Sequence, residues 1–297
     1  MTPIDPAFLR PRLLHRANDS HKGDYGHLLI VAGCETMPGA AVLATGAALR
    51  SGCGLVTLHS TGRALQAAVN NYPSAILSEI PEENFCLSPR RDIRDYTAIA
   101  VGPGLGRSRE THARLLDLFS GAAQYGIPLI LDADALNILS ESPDWQKVVP
   151  FGSILTPHTG ELQRLFPGKS AEEMEAAVTK FCLWSLSVLV WKGYHTRVFT
   201  PEGDCLVNTT GNPGMAKGGS GDVLTGLIGG LVARGYDIRD AAALGVWIHG
   251  YAGDCLSGER TAEGYDSRDL ADSLWKGFRV LYQEEEQPLS DDLNPRI

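Results

Sequence analysis

The sequence predicts an α/β fold, a mostly parallel central sheet with helices on both faces, and three observations predict it. Short apolar runs rich in branched residues alternate with longer stretches of helical periodicity, the alternation that builds parallel sheets. Hydrophobic residues make up 43% of the 297 residues and charged residues 21%, enough to bury a sizeable core within one large domain. The 33 glycines are many, which suggests numerous tight turns and places where backbone approaches a ligand.

In chain order, strands are expected at residues 27–32, 55–59, 98–102, 128–132, 153–156, 188–191, 196–200 and 205–207. Helices are expected at 39–51, 109–125, 159–166, 171–185, 222–234 and 239–256. The runs at 196–200 and 205–207 are joined by Pro201-Glu202-Gly203-Asp204, and they read as an antiparallel hairpin at a sheet edge. No internal repeat or low-complexity linker interrupts the chain, so a single domain over 1–297 is the economical expectation. Its core spans about 21–282 and is followed by an acidic, proline-broken C-terminal tail at 283–297.

The formal net charge of −9 argues against nucleic acid or an anionic membrane as partner, because a polyanion requires a basic surface. A small phosphorylated ligand is not excluded, since it needs only local N–H groups and one or two cations. Cys34, Cys53, Cys86, Cys182, Cys205 and Cys255 form no C-x-x-C pair and read as reduced thiols. No signal-peptide pattern and no run of eighteen apolar residues is present, so the expected location is cytoplasmic.

The segment richest in chemistry is Gly211-Asn212-Pro213-Gly214-Met215-Ala216-Lys217-Gly218-Gly219-Ser220-Gly221-Asp222, between a strand and an apolar helix. Glycines at a helix start leave N–H groups unpaired, and the helix dipole adds positive potential, so a phosphoryl group can sit there. A carboxylate beside that anion suits a general base better than a binding group. The plainer alternative is a glycine turn with Asp222 capping the helix.

Four further loops stand at strand ends, where α/β sheets place ligands. Gly102-Pro103-Gly104-Leu105-Gly106 is glycine-rich but lacks the dinucleotide fingerprint, because position 107 is Arg107. Asp132-Ala133-Asp134 can hold Mg2+ or substrate hydroxyls, or cap a helix. His158, between Pro157 and a helix start, can contact a phosphate or carbonyl, or be structural. Lys192, ending an apolar strand, must reach solvent or an anion. Gly168-Lys169-Ser170 is not a Walker A loop, because the glycine required five positions earlier is Gln163. Ser220 is not a hydrolase nucleophile elbow, because the fifth position of that motif is Asp222. No protein ligand set for a metal appears.

Taken in order and spacing, these segments resemble the NAD(P)H-hydrate dehydratase family, a branch of the ribokinase-like superfamily. The resemblance runs from about residue 21 to 254. It includes His21-Lys22-Gly23-Asp24-Tyr25-Gly26, Met37-Pro38-Gly39-Ala40-Ala41, Ala48-Leu49-Arg50-Ser51-Gly52, the four loops above, the Gly218-to-Asp222 segment and His249-Gly250. Three positions differ from the usual pattern: Cys34 stands in place of serine, Thr159 in place of proline, and Trp191 in place of an aliphatic residue. The resemblance implies a ribokinase-like three-layer sandwich and a homo-oligomer, a tetramer among the arrangements. It also implies an ADP-dependent lyase that returns hydrated NADH or NADPH (the S epimer) to NAD(P)H, with Mg2+ as charge-neutralising partner. The implied chemistry is phosphorylation of the hydrate's hydroxyl, followed by loss of phosphate. The epimerase domain fused to this one in many relatives is not expected in a chain of this length. Carried over by position, Ala41, Gly104, His158 and Asp222 would contact the hydrate. Lys192, Gly193, Tyr194, His195, Thr196 and Gly221 would bind the nucleotide, with Asp222 as base. The N–H groups of Gly218, Gly219, Ser220 and Gly221 would form the anion hole.

Two other functions compete. A vitamin or sugar kinase of the same superfamily would share the base and anion hole, but the segment 33–54 and the His158 loop favour the lyase. A non-catalytic nucleotide-binding module would have no use for Asp222.

Overall fold

The computed structural model describes residues 1–79 and 92–283. Among the described residues ten strands form one sheet: β1 (Thr2–Ile4), β2 (His27–Val31), β3 (Leu55–Ser60), β4 (Ile76–Glu79), β5 (Ala98–Val101), β6 (Leu129–Leu131), β7 (Ile154–Leu155), β8 (Val188–Trp191), β9 (Arg197–Phe199) and β10 (Cys205–Asn208). Their order across the sheet is β1-β10-β9-β8-β7-β6-β5-β2-β3-β4. Every pairing is parallel except β8 with β9 and β9 with β10.

The helices are α1 (Pro6–Leu9), α2 (Pro38–Leu49), α3 (Gly62–Asn71), α4 (Arg109–Tyr125), α5 (Asp134–Leu139), α6 (Thr159–Leu165), α7 (Ala171–Ser185), α8 (Ser220–Ala233), α9 (Ile238–Arg260), α10 (Ser267–Ser273) and α11 (Trp275–Gln283). Their ends obey local chemistry. Ser108 Oγ caps α4 by accepting from Thr111 N at 3.1 Å, and Gly126, at φ 64°, closes it in the left-handed region. Ser170 and Glu173 form a capping box at the start of α7.

Alternate residues of the strands face opposite cores, as the two-residue pleat requires. Leu28 and Ile30 join one buried cluster with α2, α8 and α9, while Leu29 and Val31 join another with α4 and α7. This two-sided burial explains why the strands read as apolar runs without alternation. It also gives the expected layers, helix on sheet on helix.

All eight expected strands and six expected helices form, with ends that move by a few residues. Two strands and five helices were not expected. The hairpin of β9 and β10 is antiparallel as expected, but it is not at the edge. β1 pairs with β10 and covers it, with Ile4 and Leu9 fully buried. The ordered fold therefore begins well before residue 21. The expected tail beyond Gln283 and Cys86 lie outside the described residues. The five described cysteines are free thiols. Among the described residues no helix is long and apolar enough to cross a membrane.

Candidate active site

The five loops singled out in the sequence all leave the carboxyl ends of parallel strands, and the hydrogen bonds tie them into one surface. The Gly33 turn after β2 meets the Gly102–Gly106 loop after β5, where Gly33 N donates to Pro103 O at 2.7 Å. That loop meets the β6–α5 turn, where Gly106 N donates to Asp134 Oδ2 at 2.8 Å. The β7–α6 turn meets the end of β8, where Lys192 N donates to Pro157 O at 2.9 Å. Glycine is required at Gly102, which has φ 131°, because a Cβ there would lie 1.8 Å from Asp132 O. Between Asp132 and Asp134, Ala133 holds φ 48° and ψ −118°, a costly conformation for a residue with a Cβ.

The first turn of α8 is the centre of the arrangement. Gly219 caps the helix at φ 90°, and Ser220 opens it. The loop before it is clamped from outside. Ser267 Oγ donates to Gly218 O at 2.7 Å, Lys217 Nζ donates to Ala262 O at 2.8 Å and to Tyr265 O, and Gly211 N donates to Asp254 Oδ2 at 2.8 Å. A loop held this firmly presents its N–H groups in fixed positions, as an anion hole demands. Asp222 stands in that first turn, where N–H groups have no partner within the helix.

Lys192 reaches this turn from the end of β8. Its Nζ donates to Asp132 Oδ1 at 2.6 Å, and Asp132 Oδ2 accepts from Thr225 Oγ1 at 2.7 Å. A Cβ placed on Gly221 would lie 3.3 Å from Lys192 Nζ and 3.7 Å from Asp132 Oδ2. The ammonium therefore lies against the helix N-terminus, adding its charge to the dipole. Burial works against that charge, but Asp132, Glu161 and Asp222 together outweigh it and hold the Lys192 pKa above its ordinary value.

The Asp222 carboxyl is pushed up to about 6, first by burial and then by the negative charge of Asp132, against the pull of Lys192. A carboxylate with that pKa is ionised near neutral pH yet basic enough to accept a proton. Behind it, burial pushes the His249 imidazole down to about 4, so the ring is neutral and its Nε2–H donates to Ser220 O at 3.0 Å. His249 thus steadies the start of α8.

The remaining expected residues fall around this centre. His158 serves as N-cap of α6, its Nδ1 accepting from Gly160 N at 3.0 Å and Glu161 N at 3.3 Å, with the ring more than half exposed. Its Nε2 lies 3.5 Å from Glu161 Oε1 on the half-exposed side of the ring, so capping does not bar that side from a ligand and the two sequence readings of His158 are compatible. Glu161 completes the capping box, and its carboxyl pKa is raised by burial and by Asp132. Gly104 is buried against α2, where an added Cβ would lie 2.8 Å from Ala40 Cβ. Ala41 is fully buried beneath the Gly33 turn. In the β8–β9 turn, Thr196 Oγ1 donates to Gly193 O at 3.0 Å. Tyr194 is 88% exposed and lies against His195, ring centres 3.9 Å apart, while His195 holds φ 55°.

Sequence reasoning assigned no role to Thr225, to Glu161 or to Lys217, although Lys217 stands inside the glycine segment. Thr225 carried a signal: it is a hydroxyl on an apolar helix face, three residues after Asp222 and so on the same side. Among the described residues no group of three or more His, Cys, Asp or Glu side chains is placed to hold a metal ion.

A sequence profile of the NAD(P)H-hydrate dehydratase family matches residues 28–276. The ADP-dependent (S)-NAD(P)H-hydrate dehydratase of Neisseria meningitidis is 38% identical over 81% of this chain and 80% of its own length. The ADP/ATP-dependent NAD(P)H-hydrate dehydratase of Bacillus subtilis, co-crystallized with ATP/Mg2+, superimposes with a TM-score of 0.78 at 30% identity, covering 94% of this chain and 98% of that one. A ribokinase-like superfamily protein of Enterococcus faecalis superimposes with a TM-score of 0.80 at 25% identity, over 94% of this chain and 96% of that one. The architecture is therefore ribokinase-like, as expected. The chain spans about half the length of the first curated relatives it matches, which are bifunctional NAD(P)H-hydrate repair enzymes.

Proposed function

The chain belongs to the NAD(P)H-hydrate dehydratase family, and we propose that it is an ADP-dependent lyase that returns the S epimer of hydrated NADH or NADPH to the intact nucleotide. The observation that carries this reading is the first turn of α8, where a rigid glycine loop, the Lys192 ammonium and the Asp222 carboxylate meet. A phosphate cradle with a base beside it suits phosphoryl transfer to a hydroxyl.

Asp222 takes the proton of the hydrate's hydroxyl. The oxygen attacks the terminal phosphoryl group of ADP, and AMP leaves. The N–H groups of Gly218, Gly219, Ser220 and Gly221 and the Lys192 ammonium stabilise the charge spread over the phosphoryl oxygens. Phosphate, a far better leaving group than hydroxide, then departs from the ring; the neighbouring ring carbon gives up a proton to the phosphate, its C–H electron pair re-forms the double bond, and the hydroxyl proton held by Asp222 returns to solvent. Hydrate and ADP thus give NAD(P)H, AMP and phosphate. Lys192, Gly193, Tyr194, His195, Thr196 and Gly221 hold the nucleotide, His158 and Asp222 border the hydrate, and Gly104 and the fully buried Ala41 shape the floor beneath it. Mg2+ would be carried on the nucleotide's phosphates, a setting that needs at most one or two carboxylates from the protein. It supplies charge neutralisation, and no residue of the chain is assigned to it. The same reading includes one domain, a cytoplasmic location and a homo-oligomer, a tetramer among the options, which light scattering measures.

The test is to incubate the protein with NADH hydrate and either ADP or ATP and follow the return of NADH absorbance. Restoration with ADP supports the reading. Phosphorylation of a vitamin or sugar alcohol without NADH return would replace it with the kinase. Asp222→Asn is expected to abolish turnover, by about a hundredfold or more, and to keep nucleotide binding. An active variant removes Asp222 from the base role.

A further inference from the structure

We propose that Asp132 is a positioning residue for phosphoryl transfer: one of its carboxylate oxygens holds the Lys192 ammonium against the first turn of α8, and Thr225, one turn along that helix, holds the other. The identity of the transferred group rests on the dehydratase reading; the positioning does not.

Asp132 is 1% exposed and Thr225 is 1% exposed, so this carboxylate has left water behind. A buried carboxylate is tolerated only when its lone pairs are satisfied and its charge is matched. Here Lys192 Nζ lies 2.6 Å from Oδ1, and Thr225 Oγ1 lies 2.7 Å from Oδ2. With both oxygens engaged, Asp132 is fixed in rotation.

Three parts of the chain meet at this carboxylate: the end of β6, the end of β8 and the second turn of α8. Lys192 is a long, flexible side chain, and left alone its head would sample many positions. Asp132 selects the position beside Gly221, where the missing Cβ leaves the ammonium room. A lysine aimed in advance at an incoming phosphoryl group loses less freedom on binding. Thr225 then registers α8 itself to the lysine. Since Thr225 is three residues from Asp222, the hydroxyl that fixes Asp132 and the carboxylate at the reaction centre share one rigid helix face.

The charged groups acting on Asp222 are Asp132 from β6, Asp134 from α5 and Lys192 from β8. Glu161 of α6 acts on Lys192, and the neutral His249 of α9 touches Ser220. Neutralising Asp132 removes a like charge from Asp222 and frees Lys192 to pair with it. Both changes move the acid limb of activity to lower pH.

The experiment uses Asp132→Asn, Thr225→Val and Thr225→Ser, each checked for folding by circular dichroism. In the first arm no nucleotide is present, and acetylation of Lys192 by acetic anhydride is followed by peptide mass spectrometry. Loss of the Asp132 charge lowers the lysine pKa, so D132N is expected to raise the acetylation rate about tenfold, which corresponds to about one pKa unit. An unchanged rate overturns the proposal. In the second arm the pH dependence of NADH-hydrate turnover with ADP is measured. T225V is expected to lose about tenfold or more in kcat, with T225S recovering most of it, since small misplacements of reacting groups are costly. D132N is expected to move the acid limb to lower pH. A full-speed T225V, or D132N with the wild-type limb, overturns the proposal. Failure of the wild type to restore NADH sinks the dehydratase reading alone, and the acetylation arm still decides the role of Asp132.

Discussion

At the scale of the residue, Asp222 shows how a site is made from a group held against its own preference. In water an aspartate ionises near 3.8; here burial and Asp132 raise that to about 6. A base must be deprotonated to act, so kcat/KM is expected to fall as pH drops through about 6 and to be flat above it. A plateau continuing to pH 4 would show that another group is the base. The same shift has a stability consequence. The folded state prefers the neutral acid, so the cost is absent below the ordinary aspartate pKa, grows between about 4 and 6, and is fully present above 6, where it reaches about 3 kcal/mol. Asp222→Asn mimics the neutral form. It is expected to be more stable than the wild type at pH 8 by about 1–3 kcal/mol, with less gain at pH 5, in urea titrations at both pH values. Equal stability at pH 8 would mean the carboxylate is not strained by its surroundings. The sequence made Asp222 and Lys192 legible, because each stands beside a local signal: a glycine loop or a strand end. It did not show that Lys192 pairs with Asp132 sixty positions away, because a pair of that kind exists only once the strands are side by side.

At the scale of the element, α2 and α8 carry the site and are joined by small residues. A Cβ on Gly226 would lie 2.0 Å from Ala44 O, and one on Gly230 would lie 2.0 Å from Ser51 Oγ. The helix backbones approach closely because side chains are missing there. On an exposed helix, glycine to alanine is worth about 1 kcal/mol of added stability from propensity. Here the sign reverses. Gly226→Ala is expected to push the helices apart, destabilise the protein by about 1–3 kcal/mol and reduce activity further, since α8 starts at the anion hole. Thermal melting beside turnover per folded molecule measures both, and a raised melting temperature would contradict the close approach. Helices with caps and long periodic faces, such as α4 and α7, were legible in the sequence. The short ones were not. β4 has four residues, α5 has six and α10 has seven, too few to establish a period, and they form because the sheet and its layers provide a surface to bury them.

At the scale of the whole molecule, the three N-terminal strand residues close the sheet. β1 covers the outer edge of β10, and Thr209 Oγ1 donates to Ile4 O at 2.7 Å. Exposed edges recruit other chains. Removing residues 1–9 uncovers that edge together with the apolar surface that Ile4 and Leu9 bury, each worth about 1.5–3 kcal/mol. The truncated protein is expected to melt at lower temperature and to self-associate in light scattering, although no proposed site residue is lost. An unaltered, monodisperse truncation would show that β1 is not needed to protect the edge.

By itself the sequence determined the layered α/β class, the order of the main strands and helices, and the loop that holds the reaction centre. These follow from periodicity, capping and glycine, which act over a few residues. Only the tertiary structure decided that β1 covers the hairpin and that the five loops form one surface. The same holds for Thr225 and Lys192, which meet on Asp132. Such contacts join residues far apart in the chain, and burial away from water makes them specific: an unpaired carboxylate there is costly, so its partners are fixed by the fold and not by their neighbours in sequence.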